Sequence, residues 1–290
     1  MTTATPPRRK WHLQRWLLVL AAGLLAYAGW TTYAFRSALK EAEALGWTVF
    51  YTDPVEVIRK NWKAAFKKET WAEGVKQVRI PKSETFEQNL AIVHRLNPNV
   101  LAIYNAATLR DLSALKPITR LRWIALIDCT GLTNVDALKG LSSLQYVRLH
   151  GCAGLTNVDA FKHLPALQNV NLHGCTGLTN VDAFKNLSSL QEVRLHGCKV
   201  LTNADAFKNL SALQKVYLDE CKGLTNVDAL GNLPALREVY LTTCPALKNV
   251  DGLKNLSALQ KVWLVGCTGL TNESVAALKA ALPKTHIFGR

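Results

Sequence analysis

The chain has 290 residues, with 35 lysines and arginines against 21 acidic residues, for a formal charge of +14. Length alone allows one or two domains, but a fixed internal period excludes that simple division and points to a stacked array. The positive charge is spread along the sequence without a compact nucleic-acid motif, so it indicates a bias toward acidic surfaces and makes nucleic acid an unlikely partner.

Arg8, Arg9, Lys10 and Arg15 precede 20 consecutive uncharged residues, Trp16 to Phe35. As a helix this run spans roughly 30 Å, enough for a hydrocarbon core, and Trp16, Trp30 and Tyr33 lie toward its ends, where amphipathic rings favour the interface. Beyond it, Arg36 and Lys40 are cancelled by Glu41 and Glu43. The positive-inside rule then predicts a basic cytoplasmic tail over 1–15, a single-pass transmembrane signal-anchor over 16–35, and an extracytoplasmic remainder in a bacterial envelope. The small-x-small triplet Ala26-Tyr27-Ala28 leaves an alternative, secretion after cleavage near Ala28. The apolar run continues past that point, which favours the uncleaved anchor.

Residues 36–74 read as a juxtamembrane segment. A helix continues to Leu45, with Gly46 suited to a left-handed cap, and Trp47 to Thr52 has strand composition. Asp53-Pro54 makes a good helix start. In the helix predicted over 54–69, Val55, Ile58, Trp62 and Phe66 fall on one face and Arg59, Lys63 and Lys67 on another. This amphipathic helix is expected to cap the open end of the array, with contact to anionic headgroups as the competing role.

From Leu121 to Ala281 one sentence repeats seven times at intervals of 23 residues, as at Leu190, LQEVRLHGCKVLTNADAFKNLS. Apolar residues at places one, four and six, such as Leu190, Val193 and Leu195, alternate with polar ones and predict a strand buried on one face. Leu178, Val181, Phe184 and Leu187 have the spacing of a loop followed by a short helical turn, which Asp182 and its equivalents Asp136, Asp159, Asp205, Asp228 and Asp251 are expected to cap. Counting back by 23 finds two worn coils over 75–120, keeping Val78 and Ile80, then Leu101 and Ile103. At the far end, 282–290 form a terminal cap, where Pro283 breaks a fuller helix over Asn272 to Ala281 before a closing strand at Thr285 to Phe288.

The pattern LxxLxLxxC resembles the leucine-rich repeat, and the second half, LTNVDAFKNL, resembles the short repeats of bacterial internalin-like proteins. The resemblance implies an α/β fold: a curved horseshoe solenoid with a parallel sheet on its concave face, a surface that binds proteins. With the preceding anchor, the expected fold class is a leucine-rich-repeat solenoid with an N-terminal transmembrane helix.

All seven cysteines, Cys129 to Cys267, stand at place nine of successive copies. Parallel, in-register side chains point the same way, which disfavours disulfides between neighbours, and thiolates in one line do not make a tetrahedral metal site. Core packing is the expected role, with each thiol a weak donor to loop carbonyls. Burial reconciles free thiols with an oxidising compartment.

Places two, three, five, seven and eight line the concave face or its rim. The candidate partner-binding residues are Trp123 and Tyr146 at place three, Arg148, Arg194, Tyr217, Tyr240 and Trp263 at place five, and His150, His173 and His196 at place seven. Aromatic and arginine side chains supply buried area and forked hydrogen bonds at interfaces. The histidines suit a solvated surface, with a pH response or a metal contact as weaker alternatives. No Ser-His-Asp arrangement, phosphate-cradling loop or HExxH motif is present, so no enzyme, cofactor or metal is expected. The sequence thus predicts a membrane-anchored protein-binding module whose ligand is a protein with an acidic patch. The alternative is a structural envelope protein with no dedicated soluble ligand. Oligomeric state is not encoded in any of these features.

Overall fold

Alternation of apolar and polar residues at the head of each copy makes strands that cannot bury both faces alone, and stacking solves this by pairing each with the next. The computed structural model, which describes residues 33–51, 75–80, 90–115 and 118–289, joins eleven strands into one sheet in sequence order. They are β1 (Thr48–Tyr51), β2 (Val75–Ile80), β3 (Val100–Tyr104), β4 (Trp123–Ile127), β5 (Tyr146–His150), β6 (Asn169–Asn171), β7 (Glu192–Arg194), β8 (Lys215–Tyr217), β9 (Glu238–Tyr240), β10 (Lys261–Trp263) and β11 (His286–Phe288). All pairings from β2 onward are parallel, and β1 lies antiparallel on β2.

Register follows the repeat. Trp123 pairs with Tyr146, Tyr146 with Asn169, and Asn169 with Glu192, so residues 23 apart stand side by side. The two worn coils obey the same rule, Val78 opposite Leu101 and Ile80 opposite Ile103. The last step, Lys261 to His286, is two residues longer because α3 (Asn272–Ala281) replaces the short turn of earlier coils. Thr271 caps α3, its hydroxyl accepting the Ser274 N–H at 3.1 Å.

Behind the sheet, each coil contributes one column position after another to a continuous core. In the coil from Leu167, the buried set is Leu167, Val170, Leu172, Cys175, Leu178, Val181, Ala183, Phe184 and Leu187, none more than 6% exposed. The second half of each coil is a 3-10 turn, held by i to i+3 bonds such as Leu138 N–H to Val135 O and Leu141 N–H to Leu138 O. The aspartates do not cap these turns. The side-chain oxygen of the asparagine two residues earlier accepts the aspartate N–H, as Asn134 does for Asp136 at 3.2 Å and Asn203 for Asp205 at 3.1 Å. An asparagine can close this short ring from outside the turn, which frees the aspartate to pair with a lysine three residues on: Asp136 with Lys139, Asp182 with Lys185, Asp251 with Lys254.

At the N-terminal side a helix, α1, runs over 33–44 and ends in a Schellman motif: Gly46 has φ +71°, its N–H donates to Glu43 O and the Trp47 N–H to Ala42 O. Ala38, Leu39, Ala42 and Trp47 join the common core, and Phe35 packs half-buried against it. The Glu41 carboxylate ties α1 to α2 (Leu90–Leu96) through both terminal nitrogens of Arg95. The basic tail over 1–15, most of the predicted transmembrane span over 16–35 and the amphipathic helix over 54–69 lie outside the described residues. Only Tyr33 to Phe35 of that span are described, and they lie in α1. Among the described residues no helix is long and apolar enough to cross a membrane.

Candidate interaction surface

Side chains at places three, five and seven of each strand project from the sheet face opposite the core. Because the strands are parallel and in register, like places align into ladders running across the coils, about 4.8 Å apart.

The place-five ladder is the most ordered. Arg194 lies over the Tyr217 ring at 4.3 Å. Tyr217 stacks on Tyr240 with ring centroids 4.2 Å apart, Tyr240 on Trp263 at 4.0 Å, and Trp263 on Phe288 at 5.0 Å. Ring faces are satisfied within the stack, so the ladder presents a rigid row of edges. Such a row costs little further side-chain entropy on binding. Phe288 was not among the sequence candidates: the longer last coil breaks the 23-residue count, and only the register of β11 brings this ring into line.

Place three carries alternating charge. Glu192 accepts from Arg194 Nε at 2.5 Å, and Glu238 pairs with Lys215 at 3.3 Å while accepting the Tyr240 hydroxyl at 2.9 Å. Burial acts to raise the Glu238 pKa, but the bonds from Tyr240 and Lys215 outweigh it and hold the carboxyl below its ordinary value. Burial and this carboxylate together push the Tyr240 phenol upward, so it remains a donor. Further along, Trp123 and Tyr146 face each other at 5.6 Å and are 44% and 36% exposed, large for aromatic side chains on a folded surface.

At place seven, His150, His173 and His196 stack at centroid distances of 4.5 and 4.3 Å. Burial, then the proximity of His196 and His150, lowers the His173 pKa. His196 Nε2 lies 3.5 Å from a carboxylate oxygen of Glu220. Stacked rings do not converge their nitrogens on one point, and among the described residues no group of three or more His, Cys, Asp or Glu is arranged to hold a metal.

The ten sequence candidates therefore share one face but form three separate groups: Trp123 and Tyr146; the histidine stack; and the ladder of Arg194, Tyr217, Tyr240 and Trp263. Arg148 stands between the first two, exposed. A hollow of about 450 Å³ separates it from Arg194, with Asn169 and Asn171 among its lining residues. These asparagines were missed in sequence because a short polar side chain signals nothing until its long neighbours are seen. A hollow of about 600 Å³ lies at the 3-10 turns instead, lined by Asn134, Asp136 and Lys139, whose mutual bonds already account for them.

The cysteines lie inside. All seven are free and buried. From Cys152 onward each Sγ approaches the carbonyl of the place-six residue one coil earlier, at 2.8 Å for Cys175 on Leu149 and 3.1 Å for Cys244 on Leu218. Burial pushes the Cys175 and Cys221 thiols up to about 12, which keeps them protonated.

A family profile of the BspA-type leucine-rich-repeat region matches in six copies, over residues 101–225 and 142–271. Among solved structures, the leucine-rich-repeat domain of the type III effector XopL aligns with 18% identity and a TM-score of 0.59, covering 100% of this chain and 97% of that one. Internalin C2 from Listeria monocytogenes aligns with 21% identity and a TM-score of 0.55, covering 69% of this chain and 84% of its own. Both are likenesses of fold. No curated protein sequence matches the chain.

Proposed function

Because the chain belongs to the BspA-type leucine-rich-repeat family, we propose that it is a protein-binding module that captures its partner on the open, concave face of the sheet. The ladder Tyr217–Tyr240–Trp263–Phe288 carries this reading. Four rings stacked in register offer a preorganised amphipathic strip of the kind that anchors protein interfaces, and no packing requirement of the core explains them. The excess of basic residues favours a partner with an acidic patch. Residues 16–35 hold the module at a membrane, with the N-terminus cytoplasmic and the repeats on the far side.

The test of the surface is replacement of Tyr217, Tyr240 and Trp263 by alanine, with capture from a solubilised envelope extract read by mass spectrometry. Loss of the captured protein is the expected result, and unchanged capture overturns the assignment. Topology is read with a membrane-impermeant maleimide on intact cells carrying Lys40→Cys, an exposed position on α1. The native thiols are buried and add no background. Labelling before permeabilisation is expected; labelling only afterwards overturns the orientation.

A further inference from the structure

We propose that the hollow centred on Asn171 is a carboxylate-binding notch that receives an acidic side chain of an extended peptide, adjoining the aromatic ladder and sharing Arg194 with it. This proposal rests on the concave-face reading and names the chemistry that face selects.

The notch arises from a size mismatch between adjacent coils. Asn171 pairs in register with Arg148 on one side and Arg194 on the other, and Asn169 with Tyr146 and Glu192. Two short side chains flanked by long ones leave the hollow of about 450 Å³. The two guanidinium-bearing strands are two sheet spacings apart, roughly 10 Å between backbones, so both side chains can reach one carboxylate placed over Asn171.

Both arginines are suited to that task. Arg194 is held in place by the Tyr217 ring, whose centroid lies 4.3 Å from its Cζ, and by Glu192 on its Nε, and its two terminal nitrogens have no hydrogen-bond partner among the described residues. Its fork is therefore fixed and open, the arrangement that binds a carboxylate through two parallel bonds. Arg148 is exposed and makes no ion pair among the described residues. Glu192 offsets one charge but is already committed to Arg194, and the remaining charge is positive. On the floor, the Asn171 side-chain oxygen accepts the His173 N–H at 3.0 Å, leaving its amide NH2 to donate.

The occupant is a peptide, as the wall shows. Trp123 and Tyr146 project beside Arg148 as an exposed aromatic pair, suited to the apolar part of a neighbouring residue. Positive charge here is confined to a short stretch of one face, with the place-three ladder beyond it alternating in sign: Glu192, Lys215, Glu238. A nucleic acid or sulfated glycan needs a continuous basic track, which that alternation interrupts.

Fluorescence anisotropy with the intact chain and four labelled probes tests this: deca-glutamate, deca-glutamine, decathymidylate and a heparin dodecasaccharide. Deca-glutamate is expected to bind at least about ten-fold more tightly than the other three, and Arg148→Ala to weaken it by about ten-fold or more. Asn171→Tyr, which fills the notch without removing charge, is expected to do the same. Tyr240→Ala with Trp263→Ala is expected to leave deca-glutamate binding intact, so failure of the ladder and failure of the notch are read separately. The proposal is overturned by no deca-glutamate binding, by binding insensitive to Arg148→Ala, or by equal or tighter binding of decathymidylate or heparin.

Discussion

The Sγ of Cys175 lies 2.8 Å from the carbonyl oxygen of Leu149, 26 residues earlier and one coil away. Leu149 is the last core residue of its strand, and its carbonyl turns inward where the ladder gives way to the loop. A thiol is small and apolar enough for the core yet still donates to that oxygen, so cysteine answers two demands at one position.

Two outcomes follow for these thiols. In the native protein at about pH 8, a thiol reagent is expected to titrate less than one equivalent on a timescale of minutes, and all seven in denaturant. Stoichiometric reaction of the folded protein would show that the column opens. Cys175→Ala is expected to cost about 1–2 kcal/mol in denaturant unfolding, the sum of one weak bond and a small void.

Packing was largely legible in the sequence, because periodic leucines leave little choice. Places one, four, six and nine define the buried side of the sheet, and the worn coils at Val78 and Leu101 could be found by counting. Chemistry that depends on short-range competition was not legible. Asparagine and aspartate both accept backbone N–H groups, and only the 3-10 geometry decides that Asn134 binds the Asp136 N–H while Asp136 turns to Lys139. The surface ladders fell between these cases. Their positions followed from register, but ring stacking depends on rotamers, which repeat spacing does not specify.

Place eight of each coil requires a left-handed backbone. Gly151, Gly174, Gly197 and Gly266 supply it with φ between +69° and +76°, yet Thr243 takes it with φ +56°. A β-branched residue is disfavoured there, by roughly 1–2 kcal/mol. Thr243→Gly is therefore expected to stabilise the fold by up to about 1 kcal/mol, after the entropy that glycine restores to the unfolded chain is subtracted. A raised melting temperature checks this, and a lowered one would mean that the Thr243 side chain contributes packing that outweighs its strain.

Phe161, Phe184 and Phe207 stack behind the sheet with ring centroids 6.1 Å apart in each step. All three are fully buried. Phe184→Ala is expected to cost about 3–5 kcal/mol, and the loss to fall on the neighbouring coils because solenoid stability is a sum of nearest-neighbour terms. Hydrogen exchange should therefore quicken in the coils from 144 to 212 and remain slow near α3. Uniform acceleration along the chain would instead indicate a single cooperative unit.

The histidine stack makes stability depend on acidity through His173. Burial first, and then His196 and His150, lower its pKa from 6.5, with Glu220 acting in the opposite direction and Arg148 in the same one. Below 6.5 the unfolded chain thus binds this proton more readily than the folded chain does. The contribution to stability is complete above about pH 6.5 and declines as pH falls toward the folded value. The denaturation midpoint is expected to drop between about pH 7.5 and about pH 5.5, a window above the range in which most carboxylates titrate. His173→Asn removes the central charge while keeping a polar side chain, so the slope should flatten, and its effect should shrink if His150 or His196 has already been replaced. An identical slope in wild type and His173→Asn would place the acid sensitivity elsewhere and leave the stack as a neutral surface feature.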